Sequence, residues 1–168
     1  VTPWGTWLSC EEYVAEGVRG GDVQAKFLPG IQREHGFVFE VPPAGVRNPA
    51  PLAALGQFRH EAAAVHVATG DVYMTEDRLP FAGFYRTVPK EPGRLSRGGR
   101  LQMLGVRDLR ELRRGLAIGQ SWPVAWVDIE DPMMAHTPGT RDGLGVLNQG
   151  RAAGGSVFSR LEGCIAGV

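Results

Sequence analysis

The chain has 168 residues, in which 18 Lys or Arg balance 18 Asp or Glu. Zero net charge and a pI near 7.1 give no long-range pull toward nucleic acid or an anionic membrane. The 24 glycines and 12 prolines, well above the usual combined share of about 12%, argue against a helical bundle. No run of about 18 apolar residues is present to span a membrane.

In chain order, short apolar stretches recur between Gly, Pro and Asp signals. Trp4 to Cys10 is the first, and Gly36 to Val41 the second, closed by Pro42-Pro43. Pro51 to Leu55 reads as a single helical turn. Ala62 to Val67 and Val72 to Glu76 flank Ala68-Thr69-Gly70-Asp71, a hairpin turn by its composition. Gly83 to Val88 and Gly99 to Val106 follow, and Arg107 to Arg114 has the spacing of one short helix. Pro123 to Ile129 and Gly155 to Cys164 are the last strand-like stretches. Phe, Tyr, Val, Trp and Ile recur in these stretches, as strands prefer. The segments Glu16 to Glu34, Pro42 to Arg59 and Met133 to Ala153 read as long loops, the kind that carry function. The fold class expected is all-β.

Four consecutive strand-like stretches between Glu61 and Val106 have the form of one β-propeller blade, an antiparallel meander. Two internal echoes point the same way. Cys10-Glu11-Glu12 matches Thr75-Glu76-Asp77, each a small residue before two acids. Arg59-His60-Glu61-Ala62 matches Arg160-Leu161-Glu162-Gly163. Their separations exceed a blade period of about 40 to 50 residues, so long loops must intervene. In a blade the first strand starts, and the second ends, at the same mouth of the channel. Glu61 and Glu76 are then expected at one mouth, joined by Glu11 and Glu162. Carboxylates gathered in this way repel one another unless neutralised. Calcium, with its six to eight oxygen ligands, suits them. Cys10 suits a transition metal instead.

Plainer readings stand beside these. A strand-end Glu is ordinarily solvated, and Cys10 alone can be a small buried hydrophobe. Arg160 with Glu162, and Arg59 with Glu61, share a strand face and can form salt bridges. His60 and His66 read as structural or exposed. No Lys-Ser/Thr follows the Gly139 to Gly145 segment and no Gly-x-Ser-x-Gly elbow exists, so neither a nucleotide loop nor a serine hydrolase is expected. Two cysteines, Cys10 and Cys164, are too few for a disulfide scaffold.

The stretch Thr2-Pro-Trp-Gly-Thr-Trp-Leu-Ser-Cys-Glu-Glu12 resembles the TPxGTWLTCEE signature of the PhoX-type alkaline phosphatases. Further matches are His35-Gly-Phe-Val-Phe-Glu-Val41, Phe58-Arg-His-Glu-Ala62, Gly70-Asp-Val-Tyr-Met-Thr-Glu-Asp-Arg78, Phe84-Tyr-Arg86 and Phe158-Ser-Arg-Leu-Glu-Gly-Cys164. They occur in the family's order over nearly the whole chain. The resemblance implies a six-bladed β-propeller that hydrolyses phosphate monoesters at a central site holding iron (Fe3+) and calcium (Ca2+). It also implies export to the periplasm by the twin-arginine route, and a monomer at full length. By the family pattern, Cys10 resembles the thiolate ligand of the iron pair, with Glu61 and Glu162 as iron-side carboxylates. Glu11 and Glu76 are similar to calcium-side ligands, and Arg160 to the side chain that holds the substrate phosphate.

The chain starts at Val1, without an initiator Met, and stops at Val168 after an apolar stretch. Residues 1–168 are therefore expected to be a PhoX-like domain truncated at both ends, two to three blades of six with long rim loops, marginally stable and inactive alone. The competing readings are another calcium-dependent propeller hydrolase, acting on lactones or phosphotriesters, and a non-catalytic propeller. Cys10 favours the phosphatase, because a calcium-only site has no use for a thiolate.

Overall fold

The structure, a computed structural model, describes residues 1–14, 34–45 and 49–167. The described residues are mostly β, with two antiparallel sheets and one helix. The small sheet pairs β1 (Trp7–Cys10) with β2 (Val38–Val41), Cys10 opposite Val38. The larger sheet is a meander of β3 (His60–Val65), β4 (Val72–Glu76), β5 (Phe84–Pro89), β6 (Gly99–Val106) and β7 (Val124–Asp128), in chain order. The expected four-stranded unit is therefore present and carries a fifth strand. No closed sheet is formed among the described residues.

Period-two alternation builds the core on one face of the meander. Met74, Tyr85 and Met103 are fully buried and lie opposite one another across three strands. Val72, Thr87 and Leu101 form the next layer, also buried. Leu55 and Phe58 cover these layers from the 3-10 turn Ala53–Leu55 and the segment after it. That turn falls in the stretch read as a single helical turn. The hairpin between β3 and β4 closes as expected, with the Gly70 N–H on the His66 carbonyl at 2.8 Å. Gly70 has φ +75°, and a Cβ there would come 3.0 Å from Pro92.

Three expectations are corrected. Arg107 to Arg114 is not a helix, because its backbone pairs sideways. Leu109 N–H returns to Val106 O, Asp108 has φ +60°, and Leu112 N–H reaches Val157 O at 2.9 Å. Gly155 to Cys164 is not a strand. Val157 and Phe158 make single bridges, to Glu111 and Ala82, and no ladder continues. Met133 to Ala153 is not wholly loop, since it contains α1 (Gly145–Ala153). The loop read over Glu16 to Glu34 lies almost wholly outside the described residues.

Helix α1 packs Val146 and Leu147 into the core and ends at Gly154, which is left-handed with φ +114°. Its entry is tight. A Cβ at Gly145 would lie 2.1 Å from Met134 O and 2.6 Å from His136 O, both backbone atoms. Gly145→Ala is expected to cost ~1–3 kcal/mol by forcing that segment aside. A urea midpoint unchanged from the parent's would contradict this packing.

Candidate active site

The small sheet meets the meander where β1 ends and β3 begins. Glu11 N–H donates to Phe37 O at 2.9 Å, and Glu11 O accepts from His60 N–H at 3.1 Å. This brings Cys10-Glu11-Glu12 alongside Arg59-His60-Glu61. The register of β3 on β4 slips between His60 and Ala62, so Glu61 is the extra residue of a β-bulge. Bulges re-aim a side chain and recur beside functional sites.

Alternation then sorts the acids. Glu76 is in phase with Val72 and Met74, so it points into the core and is fully buried. Its Oε2 accepts from Gly83 N–H at 2.8 Å and from Tyr85 OH at 3.0 Å, while Oε1 has no partner among the described residues. Burial pushes this carboxyl up to about 7, although those two bonds and the Arg78 and Arg59 charges oppose the rise. Glu11 is likewise engaged. Its Oε1 lies 2.8 Å from His35 Nδ1, and its Oε2 accepts from Gly36 and Phe37 N–H at 2.9 and 3.1 Å.

The next residue of each echo points elsewhere. The Glu12 carboxyl is raised by partial burial, by its closeness to the Asp77 carboxyl, and by the charges of Glu61, Asp77 and Glu162. Cys10 is half-buried, and burial with the Glu61 charge lifts its thiol to about 11. Asp77 Oδ1 is 2.5 Å from Arg160 Nε, and Glu162 Oε1 is 3.2 Å from Arg160 Nη2. Arg160 has φ +53°, and its N–H is tied to Arg78 O at 3.1 Å. A strained arginine at a polar cluster is a place to look for function.

The structure thus brings together Cys10, Glu61, Glu162 and Arg160 of the expected set, and adds Glu12 and Asp77. Glu11 and Glu76 face other partners. The signal for Glu12 and Asp77 was present in the sequence, as the second acid of each echo. It needed the strand phase to be read.

Metal ions belong to the function expected of this set, and the donors suit them. Burial first, and then the charges of neighbouring carboxylates, raise Glu12 and Cys10, and a bound cation would favour their charged forms. Among the described residues, no three His, Cys, Asp or Glu side chains already stand in a metal-holding arrangement. Cys10 and Cys164 are both free thiols.

The fold and cluster define a mostly β protein with an acidic, thiol-bearing cluster beside an exposed arginine. The sequence pattern of the alkaline phosphatase PhoX family matches residues 1–167, so the chain belongs to that family. No curated protein and no solved structure matches the chain. No helix among the described residues is long and apolar enough to cross a membrane.

Proposed function

We propose that this chain supplies part of the active site of a metal-dependent phosphomonoesterase built as a β-propeller. The observation that carries the reading is a run of neighbouring groups in a chain of this family: Asp77 and Glu162 hold Arg160, Glu12 adjoins Asp77, Glu61 and Glu162, and Cys10 adjoins Glu61. The five-stranded meander is the propeller-like unit, and further blades complete the channel in the whole protein. Cys10, Glu61 and Glu162 hold iron (Fe3+), with Glu12 and Asp77 contributing toward calcium (Ca2+). The calcium role expected of Glu11 and Glu76 passes to these neighbours in this reading. The carboxylate of Glu11 fixes the turn at Gly36, and that of Glu76 is held inside the core.

Bound cations would supply Lewis acidity and neutralise charge on the phosphoryl oxygens. Arg160 binds and orients the phosphate of the monoester. Its guanidinium fork matches phosphate geometry, and its side chain is about half exposed, at 53%. Asp77 and Glu162 position that fork from the protein side. The whole protein works as a monomer in the periplasm in this reading, taking a small phosphate ester and no nucleic acid.

The full-length protein is expected to contain iron and calcium by elemental analysis and to hydrolyse p-nitrophenyl phosphate in preference to lactones and phosphotriesters. Calcium without iron, together with lactone or triester turnover, would assign it to another class of propeller hydrolase. Absence of both metals and of hydrolysis would leave a binding propeller.

A further inference from the structure

A cavity of about 780 Å³ opens at the C-terminal end of α1, apart from the acidic cluster. Its lining includes Phe81, Arg110, Glu111, Arg113, Asn148 and Arg151. The size is that of a small-molecule pocket, and the lining is strongly cationic.

The three arginines are not equivalent. Arg113 is consumed by Glu111, donating from Nε at 2.6 Å and from Nη2 at 2.5 Å. It also lies over the Phe81 ring, 4.4 Å from the centroid, and donates to Pro80 O at 3.2 Å. Arg151 lies over the same ring at 4.7 Å. Arg110 rests on Gly154, where an added Cβ would come 2.7 Å from Nη1. Among the described residues, neither Arg110 nor Arg151 makes a side-chain hydrogen bond or an ion pair. Phe81 and Gly154 therefore place two guanidiniums without neutralising them.

The plain explanation is that cations complement a helix C-terminus. A helix end carries about half a negative charge, and here two guanidiniums bring two positive ones. About one and a half charges remain uncompensated at the cavity. A carboxylate supplies one negative charge, whereas a phosphate monoester supplies about −1.5 to −2 near neutral pH. Charge matching and the fork geometry of arginine both select the phosphate.

We propose that this cavity is a binding site for a phosphorylated small molecule, held through its phosphate by Arg110 and Arg151 with the Asn148 amide beside them. It is separate from the proposed metal cluster and does not depend on the phosphatase reading. Phe81 and Val157 frame the cavity, and Ala82 and Phe158 next to them pair with each other. The same two segments run on to Arg78 and Arg160, joined by the Arg160 N–H bond to Arg78 O.

The test is calorimetric titration of the full chain with inorganic phosphate at pH 8, in the presence of a chelator so that no metal contributes. Saturable binding is expected, and at least tenfold weaker in Arg110→Gln/Arg151→Gln than in the parent. The Arg110→Lys/Arg151→Lys pair keeps the charge and loses the forks, so it should bind between the parent and the Gln pair. Circular dichroism checks that these exposed positions leave the fold intact. The proposal is overturned by absence of phosphate binding, by equal binding in the Gln pair, by loss only in Arg160→Gln, or by acetate binding as tightly as phosphate.

Discussion

Unfolding free energy of the metal-free protein is expected to carry two opposed and nearly cancelling pH dependences, which single substitutions separate. His60 and Glu76 face each other across β3 and β4, and both are fully buried. Burial lowers His60 from 6.5 to about 4, partly offset by its contact with Gly56 O at 3.1 Å. Burial raises Glu76 from 4.5 to about 7. Between pH 6.5 and 4 the unfolded chain takes up a proton on His60 that the native state refuses, so His60 costs stability as pH falls. Between pH 4.5 and 7 the native state keeps a proton on Glu76 that the unfolded chain releases, so Glu76 costs stability as pH rises. Each shift corresponds to roughly 3 kcal/mol at about 1.4 kcal/mol per unit. From pH 4.5 to 6.5 the two slopes oppose and nearly cancel.

Glu76→Gln removes one side of that balance. The variant should lose roughly 3 kcal/mol of stability as pH falls from 6.5 to 4, relative to the parent. His60→Gln should lose a similar roughly 3 kcal/mol in the other direction, as pH rises from 4.5 to 7. Urea unfolding across pH with a chelator present measures both. Parallel profiles for the parent and the two variants would mean that neither group keeps its buried, neutral state.

The same pair shows what the sequence could and could not disclose. The meander was legible because Val72, Met74, Tyr85 and Met103 alternate with polar or half-exposed neighbours and sit between Gly and Pro signals. That alternation also contained the placement of Glu76, two residues beyond Met74 on the same strand face. The channel-mouth expectation put Glu76 beside Glu61, while its phase put it in the core and left Asp77 for the cluster. Glu61 itself could not be placed in this way. Its direction is set by a bulge, which exists only once β3 is paired with β4. Helix α1 was hidden by its own composition. Gly145 and Gly150 have poor helix propensity, and they are tolerated because backbone and the Met103 side chain come too close for a larger residue. The short helix read over Arg107 to Arg114 failed for the converse reason. Its Leu spacing was right, but its N–H groups are satisfied by Val106 and Val157 instead of by helical partners.

Substitutions in the cluster should divide into those that lose metal and those that lose substrate binding. Arg160→Gln in the full-length protein removes the guanidinium but none of the proposed metal donors. Its metal content should therefore stay at the parent level, while kcat/KM for p-nitrophenyl phosphate falls by about 10²–10³, the usual cost of removing one charge-stabilising donor. Arg160→Lys keeps the charge and should recover part of that loss, since a point charge replaces the fork. Asp77→Asn removes the charge that orients Arg160 at 2.5 Å and also a proposed calcium-side carboxylate, so KM should rise and calcium content should fall while iron content stays at the parent level. Cys10→Ser and Glu61→Gln act on the other side. The Glu61 carboxylate lies close enough to act on the Cys10 thiol, and removing either should lower iron content and activity together. Unchanged metal and activity in Cys10→Ser and Glu61→Gln would dismiss the cluster as a metal site. Full activity in Arg160→Gln would return Arg160 to the plainer role of a surface salt bridge with Asp77 and Glu162.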